Sequence, residues 1–514
     1  MAETVQPGGV RYGSGVGRWI LLATVLGSGI VMLDGTVVNV ALPTIGRDLD
    51  ASVAALQWIV NAYTLTLAGL ILLGGALGDR YGRKKVFVIG VAWFAVASLL
   101  CGLAPNVEML IAARALQGIG GALLTPGSLA IIQATFAADD RPKAVGAWSG
   151  LGGVATAIGP FLGGWLVDSV SWRWIFLINL PLAVVTIAVA LRHVPETFDP
   201  KVSGRFDVGG AALAALSLAG VTWALIAAPD SLPTAVGAGI VGVGAGMAFV
   251  ALERRVREPM LPLDIFRSRQ FTAVNIVTLC VYAALSAVMF FLVLQLQTVS
   301  GYSPQNSGLA TLPITVLMLL LSARAGELAK RIGPRLPMTV GPLLCAAGLL
   351  LMLRIGPDAN YMTDVFPGVA VLGLGLSVTV APLTATVLAS VDVARAGIAS
   401  GVNNAAARAA GLLAVAGLPA VVGLTGDGYQ VPGTVDSGFD QAMWISAVLL
   451  VLGAVLAWLT VRSDALETPP DAEPHAEPCC KTCCAVGAPP LEGDAARSRP
   501  EVSGPGGGPA PGAH

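Results

Sequence analysis

Charge is scarce in this chain. Only 12% of its 514 residues are Asp, Glu, Lys or Arg, whereas a soluble globular chain carries about 25%. The formal net charge of -1 excludes the strongly basic surface that a nucleic-acid partner requires. Histidine is nearly missing: His193, His475 and His514 are the only ones, each in a loop or the tail. No carboxylate cluster or metal set occurs in the apolar stretches either. The groups for a membrane-embedded enzyme are therefore lacking, and neither enzymatic activity nor a cofactor is expected. Of the seven cysteines, Cys101, Cys280 and Cys345 fall in apolar runs, where a thiol acts as a small hydrophobe. The other four crowd into the tail, so no secreted disulfide framework is present.

What is abundant is apolar sequence. Hydrophobic residues make up 55% of the chain, and the mean hydropathy is +0.76. Roughly 20 apolar residues at about 1.5 Å each cross a bilayer. Fourteen runs qualify: the first six at about 19–42, 55–77, 86–103, 108–133, 144–167 and 174–192, then a pair at about 208–228 and 235–252. The last six lie at about 271–297, 308–328, 337–354, 365–390, 397–424 and 440–461. The first run is too long for a signal-peptide core and lacks a cleavage site, so it reads as a retained helix. An even number of spans places both termini on one side. With the N-terminus inside, 25 of the 30 Lys and Arg fall in cytoplasmic loops and tails; only Arg47, Arg173 and Arg354 fall outside, and Arg114 and Arg408 lie within spans. That asymmetry is a strong positive-inside signal. A multi-pass cell-membrane protein with both ends cytoplasmic is expected, its lipid partner the surrounding bilayer. The excess of Arg over Lys and the abundance of Ala and Gly fit a GC-rich bacterial genome.

The stretch Gly75-x-Leu77-x-Asp79-Arg80-x-Gly82-Arg83-Lys84 recurs in weakened form from Gly326 to Arg335, at a constant offset of 251. Each copy links an even-numbered span to the next. The chain thus reads as all-α, with two pseudo-equivalent six-helix bundles (19–192 and 271–462) and an inserted two-helix linker region (193–270). A cytoplasmic segment (1–18) precedes them, and a Pro-, Gly- and Ala-rich tail (463–514) that should be disordered follows. The tail carries His475, Cys479, Cys480, Cys483 and Cys484. Cys480-x-x-Cys483 has chelate spacing, but an incidental or redox-sensitive tail is favoured, and no metal site is assigned.

Asp34 and Arg114 stand inside apolar runs. A charge there costs about 2.5–3.5 kcal/mol even on the gentler insertion scales, and such residues face a bundle interior or wet cavity and usually work. Counted from the outer ends of spans 1 and 4, the two lie at similar depths, roughly 9 and 10 Å. An ion pair or a water-bridged pair is feasible. A neighbouring guanidinium favours the ionised acid and its withdrawal favours protonation, so the pair could be a proton switch or a static buried pair. The loop at 75–87 places Asp79 among Arg80, Arg83, Lys84 and Lys85, available to pair with a cation or helix N-terminus across the seam between halves, while Gly78 and Gly82 allow a tight turn. Span 5 carries Gly159, Pro160, Gly163 and Gly164, small residues for close helix approach and a proline for a bend. Cavity candidates are Asn61, Tyr63, Gln295 and Arg408, with Trp58, Trp148, Tyr282 and Gln297 considered beside them. No acid lies deep in span 10, which favours neutral or singly charged lipophilic cargo over dications.

The loop from Gly75 to Lys84 resembles the signature loop of the major facilitator superfamily. The run from Leu33-Asp34 through Thr36, Asn39 and Pro43 is similar to the first-helix motif of its fourteen-helix drug:proton antiporter branch. Arg114 with Gln117, Gly118, Gly120 and Gly121 resembles the fourth-helix motif, and Gly159-Pro160-x-x-Gly163-Gly164 the fifth-helix antiporter motif. Gln57, Trp58 and Tyr63 also match that branch, and Arg408 an arginine of its thirteenth span. The resemblance covers about residues 15–462. It implies that Asp34 and Arg114 take part in proton coupling, that the span 5 motif marks an exporter, and that Gly75, Asp79, Arg80, Gly82 and Arg83 gate the conformational change. The expected function is proton-coupled export of small lipophilic compounds such as antibiotics, drugs or secondary metabolites, by a monomer. The rivals are an importer or uniporter of the same superfamily, a membrane-embedded enzyme, and a scaffold that uses the fold without transport.

Overall fold

The computed structural model has, among its described residues, fourteen helices long and apolar enough to span a bilayer. It describes residues 9–464 and 466, apart from 138, 199–206, 257–258, 260 and 392–394. The cysteine cluster of the tail lies outside the described residues. The helices are α1 (Gly15–Asp48), α2 (Val53–Tyr81), α3 (Arg83–Gly102), α4 (Val107–Thr135), α5 (Lys143–Ser169), α6 (Trp174–His193), α7 (Val208–Ala227) and α8 (Leu232–Glu253). They continue as α9 (Arg269–Val299), α10 (Pro304–Ile332), α11 (Arg335–Met352), α12 (Tyr361–Ala389), α13 (Ile398–Val421) and α14 (Pro432–Thr460). Among the described residues there is no strand, only an isolated bridge between Val10 and Phe136.

Polar residues at the ends of the apolar runs start the helices. Ser14, Ser52, Asn106, Asp207 and Ser268 each accept a backbone N–H from the first turn, satisfying donors that would otherwise be orphaned. Large apolar side chains such as Trp93, Ile240, Met247 and Leu459 are exposed on the outer surface, as a lipid-facing belt requires. Within each half glycines let backbones touch. A Cβ on Gly90 of α3 would lie 2.9 Å from the Leu124 nitrogen of α4, and one on Gly348 of α11 would lie 2.6 Å from the Leu372 nitrogen of α12. Dispersion at such short range is what packs helices in lipid, where apolar burial gives no preference for protein over solvent.

The internal repeat is visible in three dimensions. Gly82 and Gly333, one in each copy, both take positive φ, +111° and +82°. Each turns the chain from one helix into the next against the segment that follows its own bundle's last helix. A Cβ on Gly82 would strike the Glu196 carboxylate, and one on Gly333 the backbone of Ser463. The next equivalent pair does the same: Lys84 Nζ donates to Leu191 O at 3.1 Å, and the Arg335 guanidinium sits 4.3 Å from the centre of the Trp458 ring.

The inserted pair is not peripheral to both bundles. α7 packs on α2 of the first and α13 of the second. The Trp223 ring meets Trp58 edge-on with centroids 5.4 Å apart, and Gly69 approaches Ala215. α8 packs on α7, with Gly220 and Gly242 in close contact. On the opposite flank α5 meets α10 directly. Beyond the spans, Arg395 donates to Asp264 at 2.6 Å and holds that carboxyl below the usual carboxylate range.

Candidate functional site

Asp34 and Arg114 meet. Arg114 Nη1 lies 2.5 Å from Asp34 Oδ2, with side-chain exposures of 1% and 0%. An ion pair this deep needs further hydrogen bonds to persist, and several surround it. Arg114 Nε donates to Ile59 O at 3.1 Å, and Nη1 also to Gln117 Oε1 at 2.6 Å. Gln117 Nε2 donates to Asp34 Oδ1 at 2.8 Å and to Ser98 Oγ at 2.8 Å, and Asn179 Nδ2 reaches the same two oxygens at 3.3 Å each. Helices α1, α3, α4 and α6 thus share one hydrogen-bond network, with α4 and α6 bonding the carboxylate of α1 directly. Arg114 and Gln117 are one helical turn apart on α4, which lets both face α1.

One side chain joins this network to open space. The Tyr63 ring lies 4.2 Å from the Arg114 guanidinium carbon, its hydroxyl donates to Val31 O at 3.2 Å, and it also lines a cavity of about 520 Å³ between the two bundles. That is room enough for a drug-sized molecule. Polar groups in its wall include Asn39, Asn61, Thr64, Asn403, Asn404 and Arg408; apolar ones include Met32, Val60, Leu285, Met289, Leu412 and Val415. Asn61 has no exposed surface, and neither its amide nitrogen nor its oxygen has a partner among the described residues. Arg408 Nε donates to Asn404 Oδ1 at 2.9 Å. On α1, residues 31, 32, 35, 36 and 39 face the cavity. Asp34 lies off that face and does not line the cavity; of the two surroundings expected for such an acid, it has the bundle interior.

The end of the cavity remote from the signature loop is closed by bonds between the bundles. Gln57 Nε2 donates to Val415 O at 2.7 Å and Ala416 O at 2.8 Å. Val53 N donates to Gly426 O at 2.7 Å, Gln297 Nε2 to Val40 O at 2.9 Å, and Gln305 N to Asp168 Oδ2 at 2.9 Å. The span 5 glycines belong to this closure in two ways. Gly159 and Gly163 press on Thr36 and Val37 of α1, in their own bundle; Gly164 faces the other, where a Cβ would lie 2.6 Å from Gln305 Cα of α10, and Gly308 of α10 abuts Pro160 O. At the signature-loop end, Ser149, Gly150 and Gly153 of α5 and Thr384, Ser400 and Asn404 of the second bundle are exposed.

Two expectations change. Gln295 is fully buried at the closed end of α9, where Nε2 donates to Ile355 O and Asp436 Oδ1, both at 2.6 Å. It braces the second bundle and does not line the cavity. Asp79 pairs with Arg83 of its own loop, at 2.8 Å, and not across the seam. Gly75 lies against Pro126 of α4, and the Arg80 guanidinium carbon lies 5.7 Å from the Tyr81 ring. Glu196, which the sequence did not single out, caps α3 by accepting from Lys84 N at 3.0 Å and Lys85 N at 3.1 Å. A carboxylate on a helix N-terminus satisfies both the orphan donors and the helix dipole. Glu196→Ala is expected to cost about 1–2 kcal/mol, read as a lower thermal midpoint in detergent, while Glu196→Gln should keep part of that loss from appearing.

The bundles, the buried charge pair and the polar cavity between them define a multi-pass membrane carrier. Residues 24–415 match the family model of the Major Facilitator Superfamily. The chain belongs to that superfamily, and is a transporter. It is 36% identical over 391 residues to the multidrug resistance protein Stp of Mycobacterium tuberculosis (strain CDC 1551 / Oshkosh), which covers 75% of this chain and 72% of that one. It is 36% identical over 421 residues to the tetracenomycin C resistance and export protein of Streptomyces glaucescens, covering 80% and 78%. Among solved structures, a bacterial homolog of the human lysosomal transporter Spinster, inward-facing and unoccupied, superposes with a TM-score of 0.61 at 17% identity, over 88% of this chain and 98% of that one.

Proposed function

We propose that the protein is a proton-coupled antiporter that exports small lipophilic compounds of the antibiotic or drug type from the cell. The observation that carries this reading is the enclosed Asp34–Arg114 pair one side chain, Tyr63, away from a drug-sized cavity. The names of the relatives, resistance and export proteins, support the direction and the cargo type. The signature-loop face is taken as cytoplasmic from the distribution of Lys and Arg, which makes the present state inward-open. In the proposed cycle Asp34 holds a proton while its contact with Arg114 is loosened, and gives it up as the ion pair closes. Cargo displacing Tyr63 is the link between the two sites. The moving bundles are 19–192 and 271–462, bridged by 193–270, and the working unit is a monomer that needs no cofactor.

In energised inverted vesicles the protein should accumulate a neutral lipophilic dye such as Nile red. A proton falling through about 150 mV supplies about 3.5 kcal/mol, a limiting ratio of a few hundred-fold. A protonophore should abolish the accumulation. Dye movement that ignores the protonophore, or runs only down its own gradient, would instead establish a uniporter.

A further inference from the structure

We infer that the cavity selects cargo carrying an anionic group, a carboxylate or acidic phenol on a lipophilic frame, and that Arg408 binds that group. The inference rests on the export reading above and goes further by naming the class of cargo. Among the described residues that line the cavity, Arg408 is the only charged one. It sits on α13 ten residues from Ile398, about 15 Å along the helix, so near mid-membrane. Its one hydrogen bond among the described residues leaves from Nε to Asn404 Oδ1; Nη1 and Nη2 have no partner there. Arg114 has Asp34 beside it, whereas the cavity wall offers Arg408 no carboxylate among the described residues. A guanidinium facing a cavity without an acid partner can receive an anionic group of the cargo. A planar guanidinium with two free N–H edges suits a carboxylate or phenolate.

Asn61 is the second, independent sign. It stands in the same wall with a fully enclosed amide whose nitrogen and oxygen are both unpaired. Such a group is costly to leave unsatisfied, and a cargo oxygen can accept from its Nδ2. The apolar residues Leu285, Met289 and Leu412 line the cavity beside them and would take the frame. An anion leaving as one proton enters moves two charges per cycle. A neutral cargo moves one and a monocation none. The choice of an anion therefore couples export more steeply to membrane potential.

The test uses purified full-length protein and three probes that share one aromatic frame: naphthaleneacetate, its primary amide and naphthylmethylamine. Binding is measured in detergent at neutral pH. The carboxylate should bind tighter than the amide or the amine by about tenfold or more, the effect of one charge-assisted hydrogen bond. Arg408→Gln should bring the carboxylate-to-amide ratio to about one, and Arg408→Lys should keep part of the preference. Reconstituted protein should carry more current with the carboxylate than with the amide at equal turnover. An amine that binds as tightly as the carboxylate, or an anion preference that survives Arg408→Gln, overturns the inference. If the amine is also pumped against its gradient, export stands while anion selection falls. If none of the three binds, both fall together.

Discussion

Asp34→Asn is expected to collapse the accumulation ratio from a few hundred-fold to about one, because the enclosed carboxylate that faces the Arg114 guanidinium can then neither take nor release a proton. The substitution is nearly isosteric, and Gln117 and Asn179 remain in place to bond the new amide. What it does remove is the negative charge. Stranding one partner of a buried pair costs about 3–5 kcal/mol, so the thermal midpoint in detergent should fall as well. The two effects are separable. Asp34→Asn combined with Arg114→Gln removes both charges, and should recover most of the stability with none of the coupling. A double variant that pumps would sink the assignment of Asp34 to the proton. A single variant that pumps normally would reduce the ion pair to a packing device.

Gly164→Val should move the protein out of the inward-open state proposed above. The valine would press on Pro304 O and Gln305 Cα, backbone atoms of the other bundle that no rotamer change can withdraw. Overpacking a close contact costs about 1–3 kcal/mol, which shifts an equilibrium between two states by about 5- to 150-fold. A cysteine at Asn39, on the cavity face of α1, should then react with an impermeant thiol reagent added outside, faster than in the parent by that factor. The native Cys101 and Cys345 are fully buried and Cys280 is half-buried, so the rate is taken after subtracting the labelling of the protein that keeps Asn39. Gly163→Ala is the contrast: its contact is with Val37 of its own bundle, and it should lower stability without raising the rate of outside labelling. Equal labelling in both variants would mean that the seam between α5 and α10 is not where the outer gate closes.

Much of this architecture is legible in the sequence because bilayer physics leaves few choices. A run of twenty apolar residues with a serine or asparagine at its head has one fate. Most observed helix ends fall within a few residues of the expected spans, as α1 runs Gly15–Asp48 for 19–42, although α14 begins at Pro432, well before the expected 440. Asp34 and Arg114 could be paired because depth can be counted along a helix of known rise. The rest of their network could not. Ser98 and Asn179 are uncharged and ordinary within a span; Asn179 reaches Asp34, and Ser98 reaches Asn179 and Gln117, only through the rotation of α3 and α6 about their axes. Hydropathy does not encode that rotation. Gln117 was visible as part of a motif, and its spacing of three from Arg114 was the signal that it shares a face. Gln295 was misplaced for a related reason: it lies at the far end of a long span, where an amide meets other loops and not the centre of the membrane. Glu196 was invisible because a cap formed over more than a hundred residues leaves no local pattern.

The paired left-handed glycines carry a last consequence. Gly82 and Gly333 each seat a helix start against the stretch leaving the final helix of the same six, with Lys84 and Arg335 clasping those ends. Each group of six is thereby tied into a closed ring of contacts. In the motion proposed above, one ring can then swing past the other without parting these ties, while the Asp34–Arg114 contact inside the first ring is the one that opens and closes.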